Sequence, residues 1–537
     1  MSRERQIRGR RSAGCATCRK RKVKCGRQGI LMNSGTVSIH EKRPVCDRCS
    51  RGFHVCLGYD TIPIFVFEDK HIGNRVTSNQ TFQSGRSIAA SRMAEDSRVI
   101  QKHPGLLSTE VPASLNLSAF SQDIVLSYMI SQLSGTFPQG PSVHEIPGVK
   151  EDAPSFWTIL SSKNTDSPAF ICGLSSAEAL FGHMHGDRSM VRHSSTLYDQ
   201  ALHRFQRDLE MLGSHGGWAQ HYAAIWSCLF LALYELLSGM GPINWIHHSL
   251  GIAALAQSAG PAAFQSPMAR ELLIVLRSFI VVAAVAKRKR SFLNQEEWKK
   301  IPWEVDPDTK TTGDRLQDLL CQVPGILEDS DEVLRCPSKI RLRALQDQVS
   351  LALGELFRLQ VRWMQENQNC YWEIPAKKAN SLWVSESNEP LFGRVLWFRS
   401  FRLGLEYIHF LVVWLLLHGV CTSASLDGLT NPPENLLQGV ISSPSMIRLG
   451  DATPQEHAVE LCRVIDFMLL GEDGHRGPMA LLFPMKIASR YLNDLPEIFQ
   501  CLKRALHRIS ADKGFSLGDQ VLNMERADFC SNSGRQT

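Results

Sequence analysis

Several signals are missing from this 537-residue chain, and each absence closes off a class of protein. It opens Met1-Ser2-Arg3-Glu4-Arg5, with no apolar leader, so nothing points to secretion or to an oxidising compartment. No uninterrupted apolar run reaches the roughly 18 residues of a membrane helix. Tyr222–Leu237 carries Tyr and Glu, Glu406 breaks the stretch leading to Val420, and only Phe410–Leu417 is clean, so both stretches are expected to be buried helices. No dinucleotide-binding glycine motif, P-loop or nucleophile elbow stands in a credible context, and no enzyme is expected. Carboxylates are scarce at the start: the first sixty residues hold four Asp+Glu against fifteen Lys+Arg, a net of +11. The whole chain is +6, so the remainder carries −5, and the basic character is confined to the N-terminal segment. That asymmetry marks a nucleic-acid-binding end on an otherwise ordinary protein.

What is present sits in the same segment. Cys15, Cys18 and Cys25 form Cys-x2-Cys-x6-Cys, and Cys46, Cys49 and Cys56 repeat it. Between Cys18 and Cys25 lie five cations in six residues: Arg19, Lys20, Arg21, Lys22 and Lys24, interrupted by Val23. Zinc takes four tetrahedral ligands and accepts thiolate readily. Six thiolates exceed one zinc and fall short of two separate four-cysteine sites, but supply two zincs if two sulfurs bridge. Such a core carries a charge of −2, which the neighbouring cations offset while favouring thiolate over thiol. So short a segment cannot fold on an apolar core, and metal binding would supply its folding energy. A single zinc on Cys15, Cys18, Cys46 and Cys49 would leave Cys25 and Cys56 without a role. His54, inside the second repeat, reads as a surface residue before a ligand. The nine cysteines from Cys172 to Cys530 have no ligand spacing and read as buried free thiols.

These residues resemble the fungal binuclear zinc cluster (Zn2Cys6) transcription factors. Cys15-Ala-Thr-Cys18-Arg-Lys-Arg-Lys-Val-Lys-Cys25 matches the family's first half closely, and Arg43-Pro44-Val45-Cys46-Asp47-Arg48-Cys49 its second. The resemblance implies two Zn2+ ions held by all six cysteines, with Cys15 and Cys46 bridging, and Pro44 as the loop proline. It also implies a nuclear regulator of RNA polymerase II transcription that reads CGG-like half-sites of double-stranded DNA in the major groove. By position, Arg21 and Lys22 match the base-contacting pair, which suits guanine O6 and N7. Arg19, Lys20 and Lys24 would hold phosphates, which position without reading sequence. The basic run also suits nuclear import.

One departure is large. Twenty residues separate Cys25 from Cys46, where the family's loop is usually short. Removing Arg27–His40 would leave a loop of ordinary length. That stretch reads either as a tolerated surface insertion, since longer loops cost little entropy, or as a gene-model error such as a retained intron. The alternative function follows from it: a regulator with an impaired zinc module, acting through its other domain as an interaction or sensor module.

The expected organisation is a DNA-binding module at 10–60, a flexible linker rich in Ser, Asn, Gln, Arg and Gly at 61–115, a helical domain at 116–525 and a tail at 526–537. The fold class is mainly α, a small metal module followed by a large all-α domain. Tyr198, Ala201, Leu202, Phe205, Leu209 and Leu212 recur at helical spacing before Gly213, as do Leu345, Val349, Ala352, Leu353, Leu356 and Phe357. Alternating strand patterns are scarce. Tyr234-Glu235-Leu236, Trp245, His248, Gly251, Gly260-Pro261, Arg277, Ser291-Phe292-Leu293, Glu297-Trp298 and Ile301-Pro302-Trp303 resemble the fungal-specific transcription factor regulatory domain. The match is closest to the subgroup whose cluster ends in Cys-x-Gly-Tyr, as at Cys56-Leu57-Gly58-Tyr59. It implies control of activation, sensing of a metabolite or contact with co-regulators. Taken singly, those residues read as helix packing and turns. No sustained heptads follow Cys56, so pairing of two chains through the large domain and binding to a single half-site both stay open.

Three weaker signals complete the reading. His183-Met184-His185-Gly186-Asp187 echoes the metal motif of binuclear hydrolases, but helical flanks and Arg188 in place of a further His argue against it. Lys287-Arg288-Lys289-Arg290 suits an import signal or a helix C-terminus. Glu328-Asp329-Ser330-Asp331-Glu332 reads as a solvated loop before an activation segment.

Overall fold

The computed structural model describes residues 28–30, 38–40, 120–133, 155–212, 218–239, 243–426, 429, 448–471 and 476–524. Two units divide the chain, Met1–Glu110 and Val111–Thr537. The six cysteines, the cationic run, the linker at 61–115 and the tail at 526–537 lie outside the described residues.

In the first unit two short strands are described, β1 (Gln28–Ile30) and β2 (Ser38–His40). They pair antiparallel, with Gln28 opposite His40, Gly29 opposite Ile39 and Ile30 opposite Ser38.

The second unit is mainly helical. Its N-terminal part comprises α1 (Ser121–Leu133), α2 (Phe156–Ser161), α3 (Pro168–His185), α4 (Arg188–Leu212), α5 (Trp218–Ser238), α6 (Asn244–Ala259), α7 (Pro267–Lys287) and the short α8 (Glu296–Lys300). Then follow α9 (Thr312–Arg335), α10 (Lys339–Glu366), β3 (Tyr371–Pro375), α11 (Ala376–Ala379), β4 (Arg394–Phe398), α12 (Phe401–Ser423), α13 (Pro454–Leu470), α14 (Gly477–Ser489) and α15 (Pro496–Lys513). Helix α3 packs on α1, α4 and α5, α5 on α6, and α6 on α7; α7 then meets α9, and α12 gathers α9, α10, α13 and α14 around itself.

Local chemistry sets the helix boundaries. Thr311 and Asp314 form a reciprocal capping box at the start of α9, and Thr453 and Glu456 do the same for α13. Ser155, Ser266 and Ser400 cap α2, α7 and α12 through their hydroxyls. The stripe Leu345, Val349, Ala352, Leu353, Leu356 and Phe357 is buried along α10, as its spacing predicts. In the Tyr198–Leu212 stripe, Ala201 and Phe205 are buried while Leu209 is 38% exposed, so the core contact of α4 fades toward its end.

Among the described residues two helices are long and apolar enough to cross a membrane, Gln220–Ser238 and Phe401–Ser423, and both are mostly buried within the fold. Trp226, Phe230, Phe410 and Trp414 are among the largest fully enclosed side chains. All-α is corrected in one respect. Strands β3 and β4 pair antiparallel, Tyr371 opposite Phe398 through Pro375 opposite Arg394. Asp466 on α13 anchors the connection between them, accepting from the Ser381 hydroxyl at 2.5 Å and the Leu382 amide at 3.0 Å. Five-residue strands give too few alternations to register as a sequence pattern.

Candidate functional site

The candidate metal and DNA site is Cys15, Cys18, Cys25, Cys46, Cys49 and Cys56 with the cations Arg19 to Lys24. Of the segment that spans its two halves, the β1–β2 hairpin is what is described. Its register places Gln28 beside His40, and paired antiparallel residues lie about 4.5–5.5 Å apart. Gln28 and His40, near the two ends of the Arg27–His40 stretch, are thus neighbours, and Leu31–Val37 connect the strands in sequence.

In the helical unit the residues that resemble a regulatory domain form interior polar contacts. The Tyr198 hydroxyl on α4 donates to Glu235 Oε1 on α5 at 2.5 Å and lies 2.8 Å from His248 Nε2 on α6. Asn244 Nδ2 donates to Glu235 Oε2 at 3.3 Å. The Tyr198 ring stacks on Tyr234, centroids 4.2 Å apart. Burial raises the Glu235 pKa, and burial together with nearby His247 lowers that of His248 to about 4. A neutral imidazole and a carboxylate sharing one phenol tie three helices together.

A second knot surrounds Arg277, which is 3% exposed. Its guanidinium donates to Asp318 Oδ1 at 2.5 Å and to the Asp314 carbonyl at 3.1 Å, and Lys310 meets Asp318 Oδ2 at 2.5 Å. Both cations lie over the Trp303 ring, Arg277 at 5.4 Å and Lys310 at 4.6 Å from its centroid. Ser291 caps the short turn Phe292–Asn294, and Trp298 packs against Phe264 and Phe292. These positions hold helices and turns together, as their plain packing reading expects.

His183-Met184-His185-Gly186-Asp187 forms the α3–α4 corner. Gly186, at φ +67°, ends α3 in the left-handed region. Asp187 then caps α4, accepting from the Ser189 amide and hydroxyl and from the Met190 amide. His185 bonds the Phe181 carbonyl and stacks on its ring, centroids 4.0 Å apart. Two histidines at i and i+2 of one helix face different directions. Among the described residues no group of three or more His, Cys, Asp or Glu is arranged to hold a metal ion.

The acidic run at 328–332 is corrected from loop to helix: it lies within α9. It meets the basic run that ends α7. Arg288 pairs with Asp331 at 2.8 Å, Lys289 with Glu328 at 2.8 Å, and Arg290 with Glu328 at 3.0 Å and Asp329 at 2.6 Å. The Lys289 bond, joined by the Arg290 contacts, holds Glu328 down at about 2. Eight of the later cysteines are described; all are free thiols, and all but Cys336 are buried.

Comparison with known proteins gives one distant likeness. The chain is 26% identical over 253 residues to uncharacterized protein AN5342 of Emericella nidulans, a stretch of 44% of this chain and 52% of that protein. The chain therefore spans about half the length of the curated relative it matches. No protein-family model matches the chain, and no solved structure matches it.

One site gave no sequence signal: a cavity of about 600 Å3 lined by Arg288 and Arg490, 202 positions apart in sequence, together with the end of α12.

Proposed function

We propose that this chain is a zinc-dependent, sequence-specific DNA-binding regulator of transcription, with a helical domain that governs its activity. The donor set fits two zinc ions, since Cys15, Cys18, Cys25, Cys46, Cys49 and Cys56 provide eight ligand places when two sulfurs are shared. Bound zinc would fix the fold of the module. The chain's own cations then do the recognition: Arg21 and Lys22 toward base edges, Arg19, Lys20 and Lys24 toward phosphates.

The observation that carries the proposal over its alternative is the register of β1 and β2. A twenty-residue loop that wandered would separate the two ligand halves, but a hairpin that closes between Gln28 and His40 returns the chain to its starting point. The remaining path, Gly26-Arg27 and then Glu41 to Val45, has about the length of an uninserted loop. This supports an intact module rather than an impaired one.

Zinc content and DNA binding of the full chain test the proposal together. Two ions per chain are expected, with binding to CGG-containing duplexes that is lost on chelation. Fewer than two ions, with no preference for CGG, would establish the alternative, in which the helical domain acts as an interaction or sensor module.

A further inference from the structure

The cavity of about 600 Å3 is bounded by the C-terminal end of α12, the start of α13 and the turn after α14, with Arg288 and Leu327 closing one side. Its volume falls within the range of small-molecule sites, about 300–1,000 Å3. Leu327, Leu416, Val420 and Ile487 give it an apolar wall. His418 lies between the rings of Trp414 and Tyr491, at centroid distances of 5.1 and 6.1 Å.

Two guanidiniums line this space. Arg288 is anchored by Asp331 and by the Leu327 carbonyl at 3.2 Å. Among the described residues no carboxylate lies within ion-pair distance of Arg490. The acid on the same wall, Asp494, accepts instead from the Gln455 amide at 3.2 Å. Arg490 is exposed, with Arg288 and Tyr491 as its ionisable neighbours. An anion placed between two neighbouring cations relieves their mutual repulsion, and guanidiniums match carboxylates in bidentate geometry.

We propose that this cavity binds a small carboxylate-bearing molecule with an apolar body, its carboxylate bridging Arg490 and Arg288. The inference concerns the helical unit alone and does not rest on the zinc module.

Thermal unfolding of the full chain, at matched ionic strength, tests it with four probes: phenylacetate, octanoate and their neutral amides, phenylacetamide and octanamide. At least one carboxylate should raise the unfolding midpoint saturably, while its amide does not. Arg490→Gln, which breaks no ion pair among the described residues, should fold as the parent does and weaken that response at least tenfold. Arg490→Lys should retain part of it. Absence of a shift with both carboxylates, equal shifts with the amides, or an unchanged response in Arg490→Gln would each overturn the proposal.

Discussion

Gly313 and Glu406 give a prediction in which two effects of opposite sign compete. Gly313 lies in the first turn of α9, and a Cβ placed there would stand 2.2 Å from Glu406 Oε1 and 2.9 Å from its Cδ. By helix propensity alone Gly313→Ala should stabilise. Glu406 is 7% exposed and cannot yield cheaply, because Trp363 Nε1 donates to its Oε2 at 2.7 Å and Arg402 to its Oε1 at 2.6 Å. Swinging the carboxylate aside strips the indole N–H of its acceptor, and Trp363 is 1% exposed, so water does not replace it. An orphaned buried donor costs about 1–3 kcal/mol, whereas Ala gains at most about 1 kcal/mol over Gly in a helix. The net expectation is a loss of about 1–2 kcal/mol, read as a lower urea midpoint with unchanged slope. In an Glu406→Ala background the clash is gone, and the same substitution should become neutral or stabilising, so the double-mutant cycle isolates the contact. A Gly313→Ala chain at least as stable as the parent would refute the reasoning.

Other substitutions probe the two units separately. Lys22→Ala should relax base discrimination by about 1–3 kcal/mol, whereas Lys24→Ala should weaken all DNA sequences alike and flatten the salt slope by about one unit; competition assays that show equal specificity loss for both would refute the assignment. Deleting Arg27–His40 should leave zinc stoichiometry and CGG binding intact, because the hairpin's ends are already neighbours; loss of either would show that the insertion has a structural part in the module. The His248 pKa is lowered from 6.5 to about 4, so its contribution to stability is fully present above pH 6.5 and is lost as pH falls through about 4. His248→Asn should flatten the decline of the urea midpoint across that window, and an unchanged slope would exclude His248 as its source. Glu328→Gln should cost about 0.5–1 kcal/mol at low salt and less at high salt, since its partners Lys289 and Arg290 are largely exposed; a loss independent of salt would point away from charge.

Legibility in the sequence followed the range of each interaction. The stripe from Leu345 to Phe357 was readable because one helix carries all of it, and burial of the apolar face decides its orientation. The Gly186–Asp187 corner was readable in part: helical flanks were evident, while the two roles, left-handed end and cap, emerge from the hydrogen bonds. Six cysteines in two repeats suggest metal chemistry from ligand type and number alone, an expectation that lies outside the described residues. The tie of Tyr198 to Glu235 and His248 spans 37 and 50 residues, and nothing local marks a phenol as their meeting point. Arg490 was invisible for the same reason, because its lack of a carboxylate partner among the described residues is a property of how the turn after α14 meets the rest of the fold.

Charged runs carry the sharper lesson. Lys287–Arg290 and Glu328–Glu332 each resemble a handle for an outside partner when read alone. About forty residues apart, they are halves of one internal contact: the C-terminal end of α7 brings its cations against the carboxylates of α9, and Glu332 turns to Arg335 and Arg341. An import receptor binding the basic run would have to displace Glu328, Asp329 and Asp331, which weakens the signal reading of both segments. The run from Arg19 to Lys24 differs in its charge balance. Around it the first sixty residues scatter four carboxylates, Glu4, Glu41, Asp47 and Asp60, against fifteen cations. The sequence places no acidic block of matching density in that segment. The DNA duplex proposed as its target would supply phosphates to balance that charge, with an affinity expected to fall steeply as salt rises.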